Sequence, residues 1–251
     1  VNLVVDIGNS RIKWALIGPD GMTGIAAANF DKTSPTPLAA IGDAIGGERV
    51  GRIVATNVAG EAVAAALSSL AAGCKAELTN VRPATSEYGV RCAYADPSRL
   101  GADRWVAVVA AHRLLDGAVA VIDAGTTVTL DVVNADGEHL GGLIMPGPGL
   151  TAATLGAETH GIGPTEPAER HASGVGVLGT STNDAVANGA MLALAAGIDR
   201  VIAEVTRELH TSLTVILTGG LARTLEPWLD SAVSYRPHFV LEGLAEIAAN
   251  S

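Results

Sequence analysis

A repeat is the strongest constraint in this sequence. Residues 3–5, 12–17 and 22–28 read as three strands, with Asp6-Ile7-Gly8-Asn9-Ser10 between the first two and Gly18-Pro19-Asp20-Gly21 between the second and third. Residues 119–122, 128–133 and 140–145 read the same way, with Asp123-Ala124-Gly125-Thr126-Thr127 and Asn134-Ala135-Asp136-Gly137 in the corresponding gaps. Asp-Gly between apolar runs is a hairpin signal, because tight hairpin turns need positive φ at their central positions. The second copy is one residue shorter between its motif Asp and its Asp-Gly turn. Either copy alone is an ordinary turn pattern. Two copies in the same order and nearly the same register mark a duplicated unit.

The rest of the chain supplies what flanks such units. Residues 52–56 read as a strand and residues 60–70 and 102–115 as helices, from their apolar spacing. After the second copy, residues 182–205 read as a long helix, residues 214–217 as a strand ending in Thr218-Gly219-Gly220, and residues 241–249 as a closing helix. The Gly- and Pro-rich stretch 156–179 reads as irregular loop. The expected fold class is α/β, with two halves, 1–116 and 117–251, each opening on a three-stranded antiparallel meander. Hydrophobic residues make up 48% but aromatics only 3%, so Ala, Val, Leu and Gly must fill the cores.

Charge narrows the function. A formal net charge of -10 and the lack of any basic run argue against a nucleic-acid partner, since phosphate backbones demand clustered Lys and Arg. An anionic substrate must then be held by local donors against a repulsive overall field. No apolar run reaches the roughly 20 residues of a membrane span, and residues 1–5 carry no leader pattern, so the expectation is a cytoplasmic protein with no membrane partner. Cys74 and Cys92 are too far apart for a CxxC motif, and no His or Cys residues show zinc spacing.

Each Asp-x-Gly turn puts a carboxylate at a strand end beside backbone that a ligand can approach. Gly8 and Gly125 leave N–H groups open to phosphate oxygens, while Asn9, Ser10, Thr126 and Thr127 add side-chain donors. Lys13 and Trp14 alternate faces on their strand, so only one of them points toward the turn. Two such turns, with Asp6 and Asp123 available for cations, would make a phosphate clamp, and positioning with charge stabilisation is most of what phosphoryl transfer requires. The competing reading of one copy alone is a plain hairpin turn.

The tandem turns resemble the superfamily of acetate and sugar kinases, Hsp70 and actin. At this length the chain is similar to the type III pantothenate kinases. The resemblance rests on Asp6-Ile7-Gly8-Asn9-Ser10 with Lys13-Trp14, Gly101-Ala102-Asp103-Arg104, Asp123-Ala124-Gly125-Thr126, Gly141-Gly142 with Met145-Pro146-Gly147, Ser181-Thr182 with Gly189, and Thr218-Gly219-Gly220, in the family's order and over nearly the whole chain. It implies duplicated ribonuclease H-like halves in an actin-like architecture, and ATP-dependent phosphorylation of pantothenate, the first step of coenzyme A biosynthesis.

By position, Asp6, Ile7, Gly8, Asn9, Ser10, Arg11, Ile12 and Lys13 resemble the first phosphate motif, with Asp6 near Mg²⁺. Thr126, Gly219 and Gly220 resemble further ATP contacts, and Asp123 a ligand for a monovalent cation, K⁺ or NH₄⁺. Gly101, Ala102, Asp103 and Arg104 resemble the pantothenate segment, with Asp103 as general base, and Tyr94 and Thr182 resemble further substrate contacts. The family implies a homodimer in which the matching Thr comes from the neighbouring subunit. Ser10 stands where many members carry Thr, which keeps the hydroxyl.

The chemistry of the pantothenate segment agrees independently. An Arg can bind a carboxylate with a two-pronged fork, and an Asp can accept the hydroxyl proton. The alternative is structural: Asp103 in a first helical turn would simply oppose the helix dipole. Gly174 to Gly179 spells GxGxxG, but polar loop precedes it rather than a strand, so it is set aside as a dinucleotide fingerprint. No P-loop or GxSxG elbow occurs. The six histidines, His112, His160 and His171 among them, read as dispersed, and Trp14, Trp105 and Trp228 as core or interface. The rival function is a non-catalytic or moonlighting regulatory protein, a transcription accessory factor on the same fold. Loss of Asp6, Asp103 or Asp123 would favour it, and all three are present.

Overall fold

The computed structural model describes residues 1–29, 34, 38–45, 48–159 and 177–250. It divides into two compact units, Val1–Leu115 with Phe239–Ser251, and Asp116–His238.

The first unit is built on strands β1 (Asn2–Ile7), β2 (Arg11–Gly18) and β3 (Gly21–Asn29), followed by α1 (Ala39–Ile45), β4 (Arg52–Asn57), α2 (Glu61–Cys74), β5 (Glu77–Asn80), the short hairpin β6 (Ser86–Glu87) and β7 (Val90–Arg91), and α3 (Ala102–Leu114). Its main sheet has the order β3-β2-β1-β4-β5, antiparallel through the meander and parallel from β1 onward. Leu3, Val5, Ile7, Trp14, Ile53 and Ala55 turn to one face, where they form a core with Val63 and Leu67 of α2 and Ile41 of α1. This is the strand alternation expected when one face is covered by helices.

The second unit repeats the plan with β8 (Ala118–Ala124), β9 (Thr127–Val133), β10 (His139–Pro146), α4 (Pro148–Glu158), α5 (Thr182–Leu209), β11 (Leu213–Thr218), α6 (Ala222–Leu225) and β12 (Ser234–Tyr235). Its sheet order, β10-β9-β8-β11-β12, is that of the first unit element for element. The duplication therefore extends beyond the three strands legible as a repeat, to the parallel strands β4/β11 and β5/β12. Ile122, Leu130, Leu217, Met191, Ile198 and Trp228 sit at the centre of this core.

Helix α5 passes the length and hydropathy requirement for crossing a bilayer. Its residues Met191, Leu194, Ala195, Ile198 and Ile202 are instead buried in the second core, the pattern of a core helix. The stretch read as loop from 156 is still helical through Glu158, because Pro148 starts α4 at a position where its missing N–H costs nothing. Gly174 to Gly176, His160 and His171 lie outside the described residues.

The last helix, α7 (Phe239–Ala249), packs in the first unit against α3, β1 and β4. The sequence reading had grouped it with the second half. Gly243 is the physical reason for its place: a Cβ there would lie 2.8 Å from the Val106 carbonyl oxygen and 2.9 Å from the Ala110 Cβ, so α3 and α7 touch backbone to backbone. Arg113 of α3 also pairs with Glu246 of α7 at 2.9 Å. All three tryptophans are buried, Trp14 and Trp228 at 5% exposure and Trp105 at 0%, as their core reading requires.

Candidate active site

The two Asp-x-Gly turns close in the same manner. In the first, the Gly8 N–H donates to the Arg11 carbonyl at 3.0 Å, and Asp6 stands opposite Lys13 in the β1–β2 ladder. In the second, the Gly125 N–H donates to the Thr127 carbonyl at 3.1 Å, and Asp123 stands opposite Thr129. The residue missing from the second copy is thus missing from the turn itself, and the strands keep their register. A Cβ at Gly8 would come within 3.1 Å of the Arg11 oxygen, and one at Gly125 within 3.3 Å of the Thr127 oxygen, so both turns are tight against their own backbone.

Lys13 and Trp14 do alternate. Trp14 enters the first core, while the Lys13 ammonium lies 3.9 Å from the Asp6 carboxylate. Asn9, Ser10 and Arg11 are exposed at the tip of the turn, whereas the side chains of Ile7 and Ile12 belong to the core. Those two offer a ligand only their backbone.

Parallel pairing adds residues that sequence reasoning passed over. Thr56 of β4 stands beside Asp6 in the β1–β4 ladder, and Thr218 of β11 beside Asp123 in the β8–β11 ladder. Each acid therefore has a buried threonine as its parallel neighbour, Thr56 at 0% and Thr218 at 1% exposure. The signal was partial: β11 ends on Thr218, and β4 carries Thr56 one residue before its end at Asn57.

In the second unit, glycines from two other segments converge on the Asp123–Thr126 turn. A Cβ at Gly219, where φ is +96°, would lie within 2.4 Å of the Ala124 carbonyl oxygen and the Asp123 Oδ1, and one at Gly147 within 2.5 Å of the Thr126 oxygen. The Gly147 N–H donates to the Thr126 carbonyl at 3.0 Å, and the Leu221 N–H to the Ala124 carbonyl at 2.8 Å. The Met145-Pro146-Gly147 and Thr218-Gly219-Gly220 motifs are the packing that holds the Asp123–Thr126 turn. Thr126 itself is exposed on it.

The remaining residues of the predicted substrate segment gather at the start of α3. Gly101 is its N-cap, and the Asp103 Oδ1 accepts from the Arg104 N–H at 2.8 Å. Arg104 is buried, at 6% exposure; its Nη1 donates to the Tyr94 hydroxyl at 3.2 Å, and its guanidinium carbon lies 5.9 Å from the centre of that ring. The approach to the helix is fixed by Asp96, whose carboxylate accepts from the Ser98 hydroxyl at 2.6 Å and the Ser98 N–H at 3.1 Å. These two bonds, the hydroxyl foremost, hold the Asp96 carboxyl below its ordinary value. The carboxylate form is thus favoured by the fold, and the cap is complete above the ordinary Asp pKa of about 3.9 and lost as the pH falls through the lowered value.

Gly101 also controls Asp103. A Cβ at Gly101 would lie 2.5 Å from the Asp103 Oδ1, and Gly101 has φ −62°, a value alanine adopts freely. The Gly101→Ala substitution should therefore move the carboxylate and spare the fold. With Asp103 as the general base that the resemblance implies, turnover is expected to fall by about 10–100-fold at an unchanged melting temperature, because small displacements of such a group are costly. Equal turnover for both proteins would show that the carboxylate position is immaterial.

Among the described residues no group of three His, Cys, Asp or Glu side chains is arranged to hold a metal ion. Mg²⁺ beside a nucleotide is usually bound by one or two carboxylates, with phosphates and water completing the shell. Asp6 fits that role, at 8% exposure on a turn whose tip carries free-standing polar side chains.

Comparison with known proteins decides the family. The family model for type III pantothenate kinase matches residues 2–204. The chain belongs to the type III pantothenate kinase family. Proteins named type III pantothenate kinase from Nitrosococcus oceani and Chromobacterium violaceum are 36% identical to it, the first over 99% of this chain and 94% of its own length, the second over 99% of both. One from Azoarcus is 34% identical over 98% of this chain and 90% of its own. Among solved structures, a Campylobacter jejuni protein described as a Baf family transcriptional activator superposes with a TM-score of 0.61 at 22% identity, covering 99% of this chain and 98% of its own. A ROK family glucokinase from Streptomyces griseus, in complex with glucose and AMPPNP, does so with a TM-score of 0.53 at 12% identity, covering 100% of this chain and 99% of its own. At these identities the two structures show the fold alone, the duplicated α/β architecture of this chain.

Proposed function

We infer that this type III pantothenate kinase family member transfers the γ-phosphate of ATP to the primary hydroxyl of pantothenate, giving 4'-phosphopantothenate at the entry to coenzyme A biosynthesis. The observation that carries the reading is the duplicated turn, with Asp6–Gly8 and Asp123–Gly125 closed on their own backbone in a chain of this family. In the reaction the hydroxyl oxygen bonds to the γ-phosphorus, the bond from that phosphorus to its bridging oxygen breaks, and ADP leaves. Asp103 takes the hydroxyl proton, Arg104 and Tyr94 hold the pantothenate carboxylate, and Gly101 and Ala102 give the substrate close access to the helix start. Residues 9–11 and Lys13 receive phosphate oxygens from one turn, which Gly8 shapes while its own N–H is engaged with the Arg11 carbonyl; Thr126, Gly219 and Gly220 are the proposed ATP contacts of the second unit.

Bound at Asp6, Mg²⁺ would neutralise charge on the phosphates. Asp123 is the proposed ligand of a monovalent cation, K⁺ or NH₄⁺. Support for that division is the register: Thr129 stands across from Asp123, where Lys13 stands across from Asp6. ATP as donor and two free cysteines suit a reducing cytoplasm. The regulatory reading is not favoured, since Asp6, Asp103 and Asp123 are all retained. A coupled ADP-release assay tests the function. Release should require both pantothenate and Mg²⁺, and release indifferent to pantothenate would overturn the reading.

The protein is further proposed to act as a homodimer. Leu140 and Ile144 of β10, Leu150 and Leu155 of α4 and Leu192 of α5 are all exposed, on elements where α4 packs against both β10 and α5. Apolar residues gathered in this way mark an association surface, and Thr182 is exposed at the start of the same α5. Light scattering should give twice the chain mass, and Ile144→Glu should lower both that mass and the activity. An active wild-type monomer would contradict the proposal.

A further inference from the structure

Thr56 has no hydrogen-bond partner for its hydroxyl among the described residues, although that oxygen is fully buried. A buried unpaired hydroxyl is costly, and an apolar residue of the same shape is tolerated as well or better. Valine is that residue, and its β-branch suits a strand at least equally. On stability grounds alone the sequence therefore carries the wrong residue at position 56.

Its surroundings say what the hydroxyl is for. Thr56 and Asp6 are register partners on adjacent parallel strands, so their side chains leave the same face of the sheet, about 5 Å apart at the backbone. Lys13 is the antiparallel partner of Asp6 on the other side, and its ammonium is 3.9 Å from the carboxylate, longer than a hydrogen bond. Helix α3, which carries Asp103, packs on β4, and so does α7. Asp6 thus stands between a loosely placed cation and an unengaged hydroxyl. The second unit repeats the acid–threonine register with Asp123 and Thr218, so that pairing belongs to the duplicated design rather than to one strand.

We propose that Thr56 is a positioning residue for Asp6: its hydroxyl would donate to one oxygen of the Asp6 carboxylate and fix the orientation in which that carboxylate would hold Mg²⁺. This rests on the reading of Asp6 as the Mg²⁺ ligand. The threonine spends stability in the unliganded protein and recovers it in the liganded one, as residues at functional sites commonly do.

The test is calorimetric and thermal, on the full chain, with Mg²⁺ and ADP as the probe. Thr56→Val should melt at the wild-type temperature or above it without ligand, yet bind Mg²⁺–ADP about tenfold more weakly, the size expected for losing one hydrogen bond to a charged group. Thr56→Ser keeps the hydroxyl and should bind as wild type does, whatever its melting temperature. Wild-type affinity in Thr56→Val, or weak binding in Thr56→Ser, overturns the proposal and makes Thr56 a packing residue. If the wild-type protein shows no Mg²⁺-dependent nucleotide binding, the assignment of Asp6 and this proposal fall together. If it does and Thr56→Val matches it, only this proposal falls.

Discussion

Asp103→Asn is expected to lower turnover by about 10²–10⁴-fold, the range for removing a positioned general base. The substitution keeps the shape of the side chain, and its remaining oxygen can still accept from the Arg104 N–H at the start of α3. Folding should therefore be preserved, and the melting temperature measures that directly. Nucleotide binding should also survive, since the turns at Asp6–Gly8 and Asp123–Gly125 are separate segments. Arg104→Lys should fail differently. It removes the fork and the contact with the Tyr94 hydroxyl, so the KM for pantothenate should rise before turnover falls. Phosphoryl transfer through a loose transition state needs little help from a base. A loss below about tenfold in Asp103→Asn would accordingly reassign Asp103 to orienting the hydroxyl.

Gly219→Ala should strongly destabilise the second unit. The new carbon would meet the Ala124 oxygen and the Asp123 Oδ1 at 2.4 Å and the Ala124 nitrogen at 2.6 Å, at a residue whose φ of +96° disfavours any side chain. Two of those three atoms are backbone, held by the β8–β11 ladder that pairs Thr218 with Asp123. Relief must come from the turn itself. A cost of about 3 kcal/mol is expected from the strain and overpacking together, which lowers the melting temperature by about 6–12 °C for a chain of this size. Nucleotide affinity should fall with it, because the displaced atoms are the Asp123 carboxylate and the Ala124 peptide. A variant with the wild-type melting temperature and the wild-type KM for ATP would show that the close approach of Gly219 has no role.

The fold was legible where the pattern was local. Both meanders, the alternation of Lys13 with Trp14 and the long apolar row of α5 follow from short-range periodicity, and each stands in the structure. What the sequence hides is pairing between distant segments. Strand β5 is four residues long and β12 only two, too short to declare a period. The placement of α7 depends on Gly243 meeting Val106 and Ala110, a contact that no spacing rule announces.

The candidate site divides along the same line. Its acids and glycines sit in turns and could be named, but Thr56 and Thr218 are site neighbours only through parallel pairing across a long connection. The histidines read as surface or satisfied buried residues, and His139 is of the buried kind: its Nε2 lies 3.0 Å from the Asp131 Oδ1, a partner that the β9–β10 hairpin supplies and the sequence alone does not name. Arg104 was expected to present a fork. Its burial and its bond to Tyr94 show that the guanidinium is held in place by the protein itself.

The central claim concerns which oxygen of pantothenate reacts: the carboxylate is held at Arg104 and Tyr94 while the primary hydroxyl gives its proton to Asp103. Phosphorus–proton correlation NMR of the product formed from ATP, Mg²⁺ and pantothenate reads this directly. The account predicts a single phosphate ester whose phosphorus couples to the protons of the primary alcohol carbon, with ADP formed in equal amount. A phosphate on the secondary hydroxyl, an acyl phosphate on the carboxylate, or ADP accompanied only by inorganic phosphate would contradict it.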